Sequence, residues 1–212
     1  MRAIIFDFDG TIGDSFKVAV EIAHTITHRN QLVMPEEVVR LRKLRMLEVA
    51  RELKLSKWQW PFLLIRGRRQ MTKRLREVQP FPGIADVLRQ LQKDGYDLYI
   101  MSSNSEQNIQ QFLTEHGMAT FIRKIYSGVG LLGKARALRK VLKEKSLIAK
   151  DVIYIGDESR DIEAAKQVDM PCVAVAWGYN APELLAEHAP MVIVHTMKQL
   201  QQVLEEWGSE LA

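Results

Sequence analysis

The chain has 212 residues, 47% apolar and 26% charged, an ordinary globular balance with room for a core domain plus a smaller module. No apolar run approaches the roughly 18 residues needed to span a bilayer. Acids follow the first apolar residues too soon for a secretory leader, and a lone cysteine, Cys172, cannot form an intrachain disulfide. Membrane insertion and a disulfide scaffold are excluded on this reading, and a cytoplasmic setting is expected. The net charge of +4 is unevenly spread: Ser15–Gln79 carries 15 basic and 6 acidic residues, the remainder 15 and 20. One basic and one acidic region suggest two modules with different tasks.

The first apolar run, Ala3–Phe6, reads as a buried strand and leads directly into Asp7-Phe8-Asp9-Gly10-Thr11. From Ser15 to Gln79 no strand is expected. Helices are predicted there over Phe16–Arg29, Met46–Leu53 and Lys57–Val78, ending where Pro80-Phe81-Pro82-Gly83 halts any helix. Beyond this point strand-like runs at Asp97–Met101, Lys124–Ser127, Val152–Ile155, Cys172–Ala176 and Met191–Val194 alternate with amphipathic stretches. The latter are Ile84–Lys93, Glu106–His116, Ala135–Lys145, Asp161–Val168 and Met197–Trp207. Such alternation predicts an α/β fold: a Rossmann-like, doubly wound, mainly parallel sheet formed by residues 1–14 and 80–212, with an all-helical insertion at 15–79. Cys172 lies in an apolar run and reads as a packing residue.

Ligands of open α/β sheets gather at the carboxyl ends of the strands. Asp7, Asp9, Asp157 and Asp161 all follow strand-like runs and are expected to share one crevice with Ser102, Ser103, Asn104 and Lys134. Several carboxylates packed together repel, and a divalent cation removes most of that cost. The donors are hard oxygens with no Cys or His cluster beside them, which points to Mg²⁺ over Zn²⁺.

These segments resemble the haloacid dehalogenase-like superfamily. Asp7-Phe8-Asp9-Gly10-Thr11-Ile12-Gly13-Asp14-Ser15 looks like its first signature, Ser102 its second motif, Lys134 its third, and Asp157 with Asp161 its fourth. The basic insertion then corresponds to a helical cap placed after the first strand. Gly156–Asp161 and Val175-Ala176-Trp177-Gly178-Tyr179 look like the phosphoglycolate-phosphatase-like branch.

The resemblance implies a Mg²⁺-dependent phosphatase acting on a small phosphorylated metabolite. Asp7 would be the nucleophile, giving an aspartyl phosphate, and Asp9 the general acid and then the general base. Asp7, Asp9 through its backbone carbonyl, and Asp157 would hold the metal. Gly10, Thr11, Ser102, Ser103, Asn104 and Lys134 would face the phosphoryl group, with Asp161 and Glu158 behind them. Dehalogenases lack an acid at the position of Asp9, which favours phosphate over halide.

Other readings stay open at this stage. One is a sugar phosphomutase of the same superfamily. Another is a nucleic-acid module built on Arg66, Arg68, Arg69, Arg74 and Arg76 near Trp58 and Trp60, although a nucleic-acid partner is not expected beside a complete catalytic motif set. Phosphonate cleavage would need a cap lysine, and nothing singles out Lys17, Lys43, Lys54, Lys57 or Lys73. Gly128–Ala135 satisfies G-x-G-x-x-G and nearly a P-loop, but Ala135 stands where Ser or Thr would hold Mg²⁺. It reads better as the loop that delivers Lys134. Arg160 reads as a solvated helix residue, and Trp177 and Tyr179 as either packing or substrate contacts. Substrate and oligomeric state are left open.

Overall fold

A computed structural model describes residues 2–26, 34–52, 60–130 and 133–210. Six strands form one parallel sheet: β1 (Ala3–Phe6), β4 (Asp97–Met101), β5 (Lys124–Tyr126), β6 (Val152–Gly156), β7 (Cys172–Val175) and β8 (Val192–Val194), in the order β5-β4-β1-β6-β7-β8. Register is set by the short apolar runs: Ile4 lies beside Leu98 and Ile153, and Phe6 beside Ile100 and Ile155.

Successive side chains of a strand point to opposite faces, so these runs feed two cores. Ile4, Phe6, Ile100, Ile155 and Val175 face α5 (Ile84–Lys93), α6 (Glu106–Glu115) and α10 (Met197–Glu210). Ala3, Ile5, Tyr99, Tyr154 and Ala174 face α7 (Lys134–Lys145) and α8 (Ser159–Lys166). This is the expected doubly wound α/β core. The chain runs from β1 outward to β4 and β5, then returns to β6 on the other flank of β1. The order of connection therefore reverses at β1, and the crevice belongs at its carboxyl end.

Between β1 and α5 lie α1 (Phe16–Ile26), α2 (Pro35–Arg42), α3 (Met46–Glu52) and α4 (Trp60–Lys73). Val18, Ile22 and Ile26 recur at helical spacing on α1 and join the same core cluster as Phe8 and Ile12. Several elements differ from expectation. Helix α2 was not anticipated, although Pro35 begins it, Glu36 and Glu37 occupy its first turn, and Arg40 and Arg42 its last, all favourable placements. The helix expected to reach Val78 stops at Lys73. Leu75 turns into the core, and Gln79–Pro80 (β3) pairs antiparallel with Gly13–Asp14 (β2). That two-residue ribbon is too short to show periodicity. Pro182–Glu187 (α9), again begun by proline, was also unanticipated. Strand ends move slightly: β5 closes at Tyr126, β7 at Val175, and β8 opens at Val192. The expected helical residues 27–29, 53 and 57–59 lie outside the described residues, as do His28, Lys54, Lys57, Trp58, Leu131 and Leu132.

Phe8 sits between the two first-motif aspartates and is fully buried. Phe112 of α6 meets it edge-on, with ring centroids 5.0 Å apart. This contact seats the loop that follows β1. Phe112→Ala is expected to cost about 3–5 kcal/mol of stability, read as a lower urea midpoint at unchanged slope.

Candidate active site

Asp7 extends β1 by one residue, its amide donating to the Ile155 carbonyl at 2.8 Å. Its carboxylate points into the crevice, where Oδ1 accepts from the Phe8 amide at 2.8 Å and Oδ2 from Lys134 Nζ at 2.6 Å. Lys134 is the first residue of α7, and its ammonium also donates to Asp161 Oδ1. Asp7, Lys134 and Asp161 are respectively 2%, 3% and 0% exposed. Buried charges of this kind persist only when paired.

Asp161 is fully committed. Its Oδ1 faces Lys134 and the Tyr154 hydroxyl, while Oδ2 accepts from the amides of Asp157 and Glu158 at 3.2 and 3.1 Å. Together with Glu158 it forms the capping box that starts α8. Glu158 is buried and ion-paired with Arg160, whose side chain is only 19% exposed. Arg160 is therefore not the solvated helix residue expected: the buried Glu158 carboxylate draws its guanidinium inward.

Asp157 directly follows β6, the strand beside β1. Its Oδ1 accepts from Thr11 Oγ1 and its Oδ2 from the Tyr179 amide, both at 2.7 Å. Thr11 thus spends its hydroxyl on Asp157. Gly10 has φ +81°, and a Cβ there would lie 2.0 Å from Asp157 Oδ2. A Cβ at Gly178 would lie 2.3 Å from the same oxygen and 2.4 Å from the Gly10 carbonyl. Asp157 is wedged between two backbones that tolerate no side chain.

The carboxylates of Asp7, Asp157 and Asp161 offer oxygens within 4.8 Å of one another. Against these three acids stands one ammonium, Lys134, leaving an excess of two negative charges, which one divalent cation would neutralise. Burial pushes the Asp7 carboxyl up to about 7, with Lys134 opposing, and pushes Asp157 well above the carboxylate range, with Asp7 adding repulsion. Lys134 is held above its ordinary value. Burial works against its charge, but Asp161 and Asp7 outweigh it. Asp7 and Asp157 keep lone pairs to spare, whereas Asp161 does not. The donor set fits a hard divalent cation held by Asp7 and Asp157.

Asp9 stands apart from that cluster. It is half-buried, and Asn104 Nδ2 approaches its Oδ1 and Oδ2 at 3.4 and 3.2 Å. Desolvation raises its pKa, partly offset by hydrogen bonding from Ser15 and Asn104. Ser102, at the end of β4, is 1% exposed and accepts from the Asn104 amide at 3.0 Å, which leaves its hydroxyl proton free for an anion. Ser103 is half-buried beside it.

Sequence reasoning did not foresee the contacts between the residues around 42–44 and 176–181, beside this centre. Arg42 Nη2 donates to the Ala176 carbonyl and the Ala181 amide to the Arg42 carbonyl, both at 2.7 Å. Asn180 caps Ser159 through its side chain at 2.8 Å and reaches the Leu44 carbonyl at 3.4 Å. The only advance signal was Trp177-Gly178-Tyr179 following a strand end. Cys172 is a buried packing residue, its thiol pushed up by burial. Gly178→Ala is expected to lower stability by about 1–3 kcal/mol through overpacking. Gly130→Ala, where nothing lies within 4 Å of the new methyl, should leave the melting temperature nearly unchanged. Thermal melts of both variants check this.

Comparison with known proteins follows the same segments. A phosphoglycolate phosphatase of Synechococcus elongatus is 38% identical over 208 residues, covering 97% of this chain and 98% of that protein. A haloacid dehalogenase-like family hydrolase from Streptococcus pneumoniae superimposes with a TM-score of 0.78 at 26% identity, over 96% of this chain and 98% of the other. The crystal structure of a predicted phosphatase from Clostridium acetobutylicum gives 0.81 over 97% and 98%, though at 19% identity that likeness is one of fold. The haloacid dehalogenase-like hydrolase family model matches residues 4–175, which take in β1 through β7 and every acid and base described above, and the chain belongs to that family.

Proposed function

We propose that this hydrolase is a phosphoric monoester phosphatase that uses Asp7 as its nucleophile and takes a small phosphorylated metabolite of the phosphoglycolate type. The observation that carries the reading is the buried cluster of Asp7, Lys134, Asp157 and Asp161 at the switch point of the sheet, with Asp9 beside it and outside it. The near-full-length similarity to a phosphoglycolate phosphatase supports the substrate class.

In the first displacement the Asp7 carboxylate forms a bond to phosphorus while the bond to the leaving oxygen breaks. Asp9 supplies the proton that this oxygen takes away. In the second, water bonds to phosphorus, the Asp7–phosphorus bond breaks, and the water proton passes to Asp9. A raised pKa favours the protonated form that Asp9 needs to act as an acid. Lys134 holds the Asp7 carboxylate in place and offsets charge gathered at the phosphoryl oxygens. The Ser102 hydroxyl is placed to donate to the same group. Mg²⁺, held by Asp7 and Asp157, would supply electrostatic stabilisation where an anionic nucleophile meets an anionic substrate. Residues 15–79 would act as the cap, with the Arg42–Ala176 and Ala181–Arg42 hydrogen bonds holding it over the crevice.

A panel of phosphorylated metabolites, phosphoglycolate among them, assayed with MgCl₂ should show phosphate release from at least one. Asp7→Asn should reduce that release by at least about 10³-fold. A variant with wild-type turnover would remove Asp7 as nucleophile.

A second prediction concerns linkage. The folded-state value of Asp7 lies above its ordinary one, so protonation favours the folded state. Without a cation that contribution is present below about 3.8 and is lost as pH rises through about 7. A cation bound to the ionised carboxylates restores the loss. Mg²⁺ should therefore raise the melting temperature more at pH 8 than at pH 6, and EDTA should reverse the gain. A melting temperature indifferent to Mg²⁺ at both values would contradict the assigned metal site.

A further inference from the structure

The run Leu53–Arg76 holds eight lysines and arginines and no aspartate or glutamate. Helix α4 and the turn after it show where most of these charges go. Arg66, Arg68, Arg69, Lys73 and Arg76 are exposed, and among the described residues none of the five is ion-paired. Basic residues elsewhere on the surface do find acids. Arg74 turns to Glu21 and Glu77, Arg40 to Glu52, Arg89 to Asp86, Arg123 to Asp97 and Lys124 to Glu144. Arg66, Arg69, Lys73 and Arg76 follow one another at spacings of three and four residues, where like charges face each other and weaken a helix. No described acid offsets that repulsion, so the stripe is suited to a polyanion from outside the chain.

The shape of the face narrows the choice. At about 100° per residue, Arg68 falls on one flank of the exposed side of α4, and Arg66 with Lys73 on the other. Ile65, Thr72 and Arg69 lie between them. Met71 is turned inward against the core, and Gly67 lies over Ile26. A lipid surface is met by apolar groups as well as cations, but Ile65 is the one large apolar side chain exposed on the described part of α4. A duplex groove, by contrast, has a phosphate wall on each side. The major groove of B-form DNA is about 12 Å wide and admits a helix, whereas that of A-form RNA is too narrow. In the middle of the face Thr72 spends its hydroxyl on the Arg68 carbonyl, which leaves little to read base edges.

We propose that the exposed face of α4 is a binding surface for duplex DNA, held through the phosphates on both sides of the groove and indifferent to base sequence. The surface uses no residue of the catalytic cluster, so the inference does not depend on the phosphatase reading.

The test titrates the full chain into fluorescently labelled 20-base-pair DNA duplexes and follows anisotropy. Their ends carry 5′-hydroxyls, so no phosphate monoester is offered to the crevice. Two unrelated sequences should bind within about twofold of each other. Affinity should fall about 10²–10³-fold between 50 and 200 mM NaCl, as expected for four or five neutralised phosphates. Arg66→Glu combined with Arg69→Glu and Lys73→Glu should abolish binding, with thermal melting showing that this variant folds. Arg69→Ala, a milder change, should lower the slope of log affinity against log salt by about one. Lys140→Glu with Lys143→Glu, on the exposed side of α7, should leave binding within about twofold of wild type. No binding at 50 mM NaCl would overturn the proposal. So would equal losses from the α7 and α4 variants, or tighter binding to phosphatidylserine vesicles or to duplex RNA than to DNA. None of these outcomes bears on the phosphatase assay.

Discussion

The buried ammonium of Lys134 between Asp7 and Asp161 is the contact around which the crevice is organised. An unpaired ammonium at this depth would not stay charged, and unpaired carboxylates would take up protons. Three stretches of chain, at 7, 134 and 157–161, must therefore arrive together for any of them to keep its ionic form. The sheet makes this possible. β1 and β6 are neighbours in register, and α7 delivers the lysine from the face covered by Tyr154 and Leu138. Lys134 Nζ also sits 5.6 Å from the Tyr154 ring centre, a further favourable surrounding for the cation.

Around that contact the site is built by close approach as much as by hydrogen bonding. Gly10 and Gly178 leave no room for side chains, so the Asp157 carboxylate fits between two loops and takes its donors from both. Asp161 is held by amides at the start of its own helix, which leaves it to orient Lys134. Asp9 lies outside this charged cluster, bound by the side-chain amide of Asn104. Two aspartates two residues apart on one loop thus acquire different environments: one faces a cation, the other faces neutral donors. That difference is in keeping with the proposed division, in which one attacks and the other carries a proton.

Much of this was legible beforehand. Strand-length apolar runs alternating with amphipathic stretches announced the doubly wound sheet, and each acid and the lysine could be named from its place after such a run. Arg160 was misjudged, and the partner of the Thr11 hydroxyl was not foreseen, for one reason. A hydroxyl or guanidinium near a site has many possible partners, and only coordinates show that Thr11 turns to Asp157 and Arg160 to Glu158. Helix α2 carried its end signals openly, with Pro35 first and arginines last, but its weak apolar pattern hid it. The β2–β3 ribbon was beyond pattern reading, since two residues have no period.

By itself the sequence determined which residues could do chemistry, because apolar periodicity dictates where strands end and which polar groups follow them. Tertiary structure alone decided how those groups divide their work. Hydrogen bonds such as Tyr179 to Ser15 and Arg42 to Ala176 join residues 164 and 134 positions apart. No local pattern encodes such distances, because they are set by the packing of loops whose own residues carry no repeating signal.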